Sequence, residues 1–449
     1  MSTVNKTQNF HAGDYHMPFV FLIGQNLPMK NIRNNIIEMN IYESIDSSFM
    51  SGSIVLRDSY NERQNMGLTG QEEIEFVLRT NDEADAIDFQ TVRGRIYKIN
   101  NQVGITDNQQ IYTLHFVSIE AMRNAQNKVL TAYSGSGDQI FTQVLKNVIK
   151  TEKRLQVQKS TNFQKVVGNT MYPFAFIDMV ARRSSADKSH GFMFYENHRG
   201  YQFHSFDNLH TRTNGEKREP VESFFSTQSL EERDTLTNMR TLKDFAILRT
   251  QDTLRDYSDG LLASTNFAYN RLDKTATTTK HNYAKAHSKT PHIDGLYPLY
   301  TTTPEEPYKT LFSYDLAKTS VTTSDPSLHT QSATDEVLYD NYSSNLTLRN
   351  MRGLSLESMR VKITVNGNSN LAAGDLIHIE LPNYEPIVNK TDDRVYDLYL
   401  SGNYIIAQIN HKVSPEGYVS ICECVKDSVN IPYESSPYTI KENLESNEI

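Results

Sequence analysis

Four of the chain's 13 histidines, His190, His198, His204 and His210, fall within a stretch of 21 residues. Imidazoles at such density raise the question of a metal site or of general acid–base chemistry. A two-strand hairpin over this stretch puts His198 in its turn, with His190 and His204 near opposite ends. No cysteine or acidic residue completes a zinc-like spacing beside them. They are read as surface or internally satisfied histidines, and His281 and His287 in a polar segment are read the same way. Ser134-Gly135-Ser136-Gly137 approaches the Gly-x-Ser-x-Gly motif of hydrolases, but that motif needs a strand-to-helix elbow. Here Ser136 precedes a helical run with Gln139 three residues on, so the segment reads as a loop and capping box. The pairs Glu72-Glu73 and Asp392-Asp393 lie in turns, without the apolar cleft that would raise a carboxyl pKa. Walker and dinucleotide fingerprints are missing. Cys422 and Cys424 stand on one side of a strand, poorly placed for a mutual disulfide, and read as reduced thiols packed as small hydrophobes. No catalytic, cofactor-binding or metal-ligating residue is therefore assigned. The chain is expected not to be an enzyme and to need no cofactor.

The whole-chain balance points the same way. The 449 residues carry 45 basic against 54 acidic side chains, a net charge of −9. Tight gripping of a nucleic-acid backbone needs clustered Lys and Arg, and here they are scattered and outnumbered. An acidic protein could still line a conduit through which nucleic acid passes without sticking. Residues 1–16 are polar, unlike a signal peptide, and no window approaches the ~18 apolar residues of a membrane span. A soluble protein of a reducing compartment is expected. With no tryptophan, 25 tyrosines and 20 phenylalanines, the composition suits sheets and interfaces.

Period-2 alternation predicts strands around Ile37/Met39/Ile41, Ile54/Leu56, Ile74/Phe76/Leu78, Ile96–Ile99 and Tyr112/Leu114/Phe116. The period then changes. Ile140, Phe141, Val144, Leu145, Val148 and Ile149 recur at helical spacing, and a second helix starts at Pro173 with Phe174, Ile177, Val180 and Ala181 on one side. Phe192 and Phe194 lead into the turn Asn197-His198-Arg199-Gly200, and Tyr201 and Phe203 lead out. Residues 256 to about 340 are rich in Thr, Ser, Asn, Lys and Pro, as in Thr275–Thr279 and Thr301–Thr303. They read as a long loop or as an arm that orders on a neighbour. Strand alternation returns at Val361/Ile363/Val365, Ile377/Ile379/Leu381, Tyr404–Ile409 and Tyr418–Cys424. The divisions expected are a first β-barrel domain (1–125), an α+β helix-and-hairpin domain (126–255), a Thr/Ser-rich insertion or arm (256–350), a second β-barrel domain (351–430) and an acidic tail (431–449). The fold class is α+β, mainly β: two similar antiparallel β-barrel domains flanking an α+β domain and a polar insertion.

The two β regions match one another in order. The Ile54/Leu56 strand corresponds to Ile363/Val365, Gly70 with Ile74–Leu78 to Gly374 with Ile377–Leu381, Gly94–Asn100 to Gly402–Asn410, and Tyr112–Phe116 to Tyr418–Cys422. Three chains around one axis would set six similar barrels in a ring, joining a sixfold tube to a threefold partner.

These features resemble the central hub proteins of T4-like contractile-tail phage baseplates, and are similar to the hub half of type VI secretion spike proteins. The likeness is carried by Asn35–Ile45, Phe49–Ser59, Leu68–Ile74, Ala373–Ile377, Leu400–Ile406 and Ile409-Asn410-His411. In such hubs an early strand ends in a Glu-Ser-Ile-like segment, a Ser-Gly-Ser-Ile strand and a Gly-Glu-like turn follow, and the second barrel ends with a Ser-Gly-x-Tyr strand and an x-His. The resemblance implies a homotrimeric ring in the virion tail, assembled in the host cytoplasm. It implies tail-tube or tube-initiator proteins above, a trimeric spike below and DNA passing through the ring. Other baseplate proteins would be met through residues 256–350. Specific nucleic-acid binding and membrane contact are not implied. The competing readings are a tube initiator, a cell-wall-degrading tail enzyme and a carbohydrate-binding β module.

Overall fold

A computed structural model describes residues 11–24, 29–59, 61–81, 84–106, 109–186, 189–212, 215–226, 238–250, 252–269, 274–283, 290–294, 318–323, 339–381, 396–397 and 399–429. The expected acidic tail, His287, Thr301–Thr303 and Asp392-Asp393 lie outside them. Among the described residues, no helix is long and apolar enough to cross a membrane.

The first β region comprises β1 (Val20–Ile23), β2 (Ile36–Ser44), β3 (Ser51–Asp58), β4 (Glu73–Leu78), β5 (Gly94–Thr106) and β6 (Gln109–Ser118). Alternation sends Met39, Ile41, Ile54, Leu56, Ile74, Phe76, Leu78, Ile96, Leu114 and Phe116 into one buried cluster. Phe76, Phe89 and Phe116 meet there as one stacked and two edge-on pairs.

The middle region contains α1 (Gly137–Val144), α2 (Pro173–Arg183), β7 (Phe192–Asn197), β8 (Gly200–Ser205), β9 (Glu222–Phe225) and β10 (Leu242–Arg249). The predicted capping box starts α1, with Ser136 N donating to Gln139 Oε1 at 3.3 Å, and Pro173 is the first residue of α2. The apolar stripe of α1 runs on through a π-turn, Leu145–Ile149. Both stripes pack with the hairpin aromatics Phe192, Phe194, Tyr201 and Phe203 in one cluster. The hairpin turns through His198 and Arg199, with Asn197 paired to Gly200. Gly200 has φ +117°, and a Cβ there would lie 2.2 Å from the Arg154 carbonyl oxygen. Gly200→Ala is expected to cost about 2–4 kcal/mol, from backbone strain plus overpacking against a main-chain atom. Urea denaturation measures this, and a cost below about 1 kcal/mol would mean that the turn relaxes freely.

The Thr-rich segment is not wholly loop. Its described parts form a three-stranded sheet in which β11 (Ala263–Tyr269) pairs antiparallel with β12 (Ala276–Asn282) and parallel with β13 (Lys318–Thr323). Thr277–Thr279 lie within β12, where β-branched side chains favour extended backbone even without an apolar pattern. The segment ends in a helix, α3 (Tyr339–Leu356).

The second β region has β14 (Met359–Asn366), β15 (Leu376–Glu380), β16 (Gly402–Ser414) and β17 (Gly417–Lys426). Its core holds Val361, Ile363, Val365, Ile377, Ile379, Tyr404, Ile406, Cys422 and Cys424. The spacing repeat recurs as topology. The first region pairs in the order β3-β6-β5-β4 and the second in the order β14-β17-β16-β15. The long hairpins match as well, 13 and 10 residues in each region. Two further features were not legible from spacing. Strand β2 pairs antiparallel with β16, so one continuous sheet runs through both regions. Strands β9 and β10 leave the middle region and join the second, β9 parallel to β15 and β10 antiparallel to β14.

Candidate functional site

The place where all three regions meet is built from residues that an apolar pattern would not assign there. Glu43 follows Met39 and Ile41 in the core-facing phase of β2, so alternation drives a carboxylate inward, where it is 2% exposed. On β16, His411 stands between Ile409 and Val413 in the same kind of phase and is fully buried. The register Ile409↔Glu43 and His411↔Ile41 makes Glu43 and His411 diagonal neighbours on one face of the sheet. The hairpin tip of the middle region comes down onto them. His198 donates its backbone N–H to Glu43 Oε1 at 3.0 Å, and its Nδ1 lies 2.8 Å from the same oxygen. The other carboxylate oxygen accepts the Ala373 N–H at 3.1 Å. The Tyr418 hydroxyl on β17 is 2.6 Å from His411 Nδ1.

These contacts set the charges. Burial pushes the Glu43 carboxyl upward, but His198, His411 and the Ala373 amide outweigh it and hold the pKa down at about 2. Burial depresses His411 to about 4, with Glu43 opposing and His198 assisting, so its imidazole is neutral at pH 7. Around this centre, Arg199 forks onto Asp375 at 2.7 and 3.0 Å, reaches the Asn370 carbonyl and touches Asp85 at 3.3 Å. Asn197 donates to the Ala373 carbonyl at 3.1 Å. One turn of four residues thus ties the middle region to both β regions. A step back along β7, Glu196 accepts from Met50 N at 2.9 Å and Ser118 Oγ at 2.6 Å, and pairs with Lys153, which also meets Glu120 at 3.0 Å.

A second buried knot ties α3 to the middle and second β regions. Arg352, 5% exposed, donates from Nε to Asp207 at 2.7 Å and from Nη1 to Asp427 at 2.6 Å. Its Nη2 donates to His210 Nε2 at 2.9 Å and to the Pro291 carbonyl at 2.5 Å. His292 Nδ1 lies 3.0 Å from Asp427. Burial depresses the His210 pKa to about 4, and Arg352 adds to this.

Of the histidines grouped in sequence, His198, His204 and His210 therefore do not converge. His198 joins Glu43 and His411, His210 joins Arg352, and His204 lies 2.8 Å from Gln202 Oε1. Glu72 accepts the Thr69 and Gly70 amides in a turn, and Glu73 pairs with Arg93 and Arg95. Ser136 caps α1, and both cysteines are buried and free. Sequence reasoning missed Glu43, His411 and Arg352. The first two carried a signal, a polar residue in phase with core neighbours; Arg352 carried none.

No family model matches the chain. In sequence it is 20% identical over 444 residues, 96% of this chain and 98% of the other, to the probable baseplate hub protein gp334 of Vibrio phage KVP40. In structure it is similar to a tail protein from Neisseria meningitidis MC58, with a TM-score of 0.53, 10% identity and coverage of 93% of this chain and 98% of that one. It is likewise similar to a 43 kDa tail protein of prophage MuSo2 from Shewanella oneidensis, with a TM-score of 0.52, 10% identity and coverage of 92% and 100%. The chain has the fold of these phage tail proteins, and along nearly its whole length its sequence resembles the probable baseplate hub protein of one T4-like phage.

Proposed function

We propose that the protein is a structural subunit of a phage tail baseplate, its central hub, and that it acts by shape and surface rather than by catalysis. The observation that carries this reading is the repeated strand order, β3-β6-β5-β4 and β14-β17-β16-β15, fused through β2 and β16. Three such chains present six similar β units around a closed axis, so a threefold assembly meets a sixfold tube on matching surfaces. The tube or its initiator would sit on one face, a trimeric spike on the other, and DNA would pass between. Other baseplate proteins would be met through residues 256–350. Assembly would occur in the host cytoplasm and end in the virion tail.

Exposed apolar surface supports an interface role. Among the described residues, strand β10 ends the continuous sheet, and it carries Ile247 and Leu248 at 46% and 48% exposure. An edge strand of that composition invites pairing unless a partner covers it. Val103 and Ile105, at 60% and 52%, stand on the outer part of β5. The buried carboxylates are held in ion pairs and amide cradles, which favours the structural reading over a cell-wall-degrading tail enzyme. A tube initiator with one β unit would not need the second copy.

Native mass measurement of the purified chain tests this. A species near three times 51.4 kDa is expected, stable on dilution into the micromolar range. A monomer at all concentrations, or hydrolysis of cell wall by the pure protein, would overturn it.

A further inference from the structure

We propose that Glu43, His198 and His411 form a binding site for a divalent transition cation, zinc in the first instance, which clips the three regions together at their junction. This stands independently of the assembly reading. One donor atom from each of the three residues lies within 4.8 Å of the other two. Tetrahedral zinc, with ligands about 2.0–2.2 Å away, needs donors about 3.3 Å apart. Side-chain shifts on the order of 1 Å therefore close the set. The Glu43 and His198 side chains are 0% and 1% exposed, and His411 is fully buried.

Two observations point to a ligand rather than to a self-contained polar cluster. Among the described residues, His198 Nε2 and His411 Nε2 are both buried without a hydrogen-bond partner. Leaving a polar nitrogen unpaired in the interior is costly, and one bound cation can engage two imidazoles at once. The outer contacts are also those of a metal site. The Tyr418 hydroxyl holds His411 Nδ1 at 2.6 Å, which orients the ring and leaves Nε2 for coordination. The Ala373 amide fixes the second oxygen of Glu43 at 3.1 Å, and His198 is anchored by its own backbone N–H at 3.0 Å. Two imidazoles and one carboxylate suit zinc or iron(II), whereas calcium and magnesium prefer all-oxygen shells. Three protein ligands leave one position for water.

The test uses the untagged full-length chain, produced in zinc-supplemented medium and purified without chelator. Elemental mass spectrometry should find about one equivalent of zinc or iron per chain. After stripping, cobalt(II) should restore the visible bands of a four-coordinate nitrogen–oxygen site and raise the melting temperature. His198→Gln, at a hairpin tip, and His411→Gln should each lower zinc affinity at least tenfold while circular dichroism stays native. Tyr418→Phe leaves all three ligands in place and should weaken binding about 10–100-fold through loss of ring orientation. Metal-free wild-type protein that gives no cobalt spectrum and no melting shift would overturn the proposal. So would unchanged zinc affinity in folded His198→Gln. If His411→Gln does not fold, the wild-type cobalt titration and Tyr418→Phe decide the question.

Discussion

Arg352→Met will destabilise the folded chain by about 3–5 kcal/mol, a loss readable as a shift of the urea midpoint at constant slope. The guanidinium donates to two carboxylates, an imidazole and a carbonyl. Methionine fills much of the same volume, so the packing term is small. What remains is the removal of the charge that holds Asp427 ionised. Burial pushes the Asp427 carboxyl up, and Arg352 is the largest of the influences that bring it well below its usual range. Asp207 and Asp427 would then stand buried with one positive partner fewer, and the pair must take up a proton or open the site to water. Arg352→Met combined with Asp427→Asn should recover part of the loss, because the uncompensated charge goes with its partner. A single-variant cost below about 1 kcal/mol, or no coupling in the double variant, would mean that the knot contributes little.

The same residue shows where a sequence stops being readable. The helix α3 was not predicted, although it has 18 residues. Its described inward face is Thr347, Met351, Arg352, Ser355 and Leu356, a buried stripe at helical spacing in which three of five members are polar. A search for apolar periodicity cannot see such a stripe, because it is stabilised by an ion-pair network supplied from distant segments. The helices α1 and α2 were visible for the opposite reason. Their stripes, Ile140/Phe141/Val144 and Phe174/Ile177/Val180/Ala181, are apolar throughout and bury against aromatic strands.

The repeat was legible because hairpin lengths and turn glycines are local properties, and both β regions conserve them within the one chain. The fusion of the regions was not, since the register of β2 against β16 depends on partners more than 350 residues apart. The junction shows both cases at once. Met39, Ile41 and Glu43 share one phase, as do Ile409, His411 and Val413, so each polar member was marked as inward by its neighbours. That His198 would complete the set depends on where a hairpin tip lands, which no spacing encodes. A search for ligands within short windows therefore grouped His198 with His204 and His210, which it does not meet, and overlooked Glu43 and His411, which it does.

Acid will unfold the protein earlier than its carboxylates alone require, through His204, His210 and His411. Burial holds all three as neutral imidazoles with pKa values near 4, against about 6.5 in the unfolded chain. Above pH 6.5 neither state binds the proton and the three residues contribute nothing to the pH dependence. Between pH 6.5 and 4 the unfolded chain binds protons that the folded chain refuses, so stability falls as pH falls. At about 1.4 kcal/mol per pH unit for each group, the window removes about 3 kcal/mol per histidine. Glu43 acts in the same direction but later, because its depressed pKa supplies stability that is present above about 4.5 and lost as pH falls toward 2. Three protons taken up on unfolding at pH 4.5–6 should therefore give a steep loss well before Glu43 titrates. The measurement is denaturation from pH 7 to 4 in chelator-treated buffer, with His210→Gln as the comparison. Glutamine keeps a side-chain acceptor for Arg352 but cannot titrate, so the slope over this window should fall by about a third. An unchanged slope would show that His210 exchanges its proton freely in the folded protein, and that the Arg352 knot is open to water.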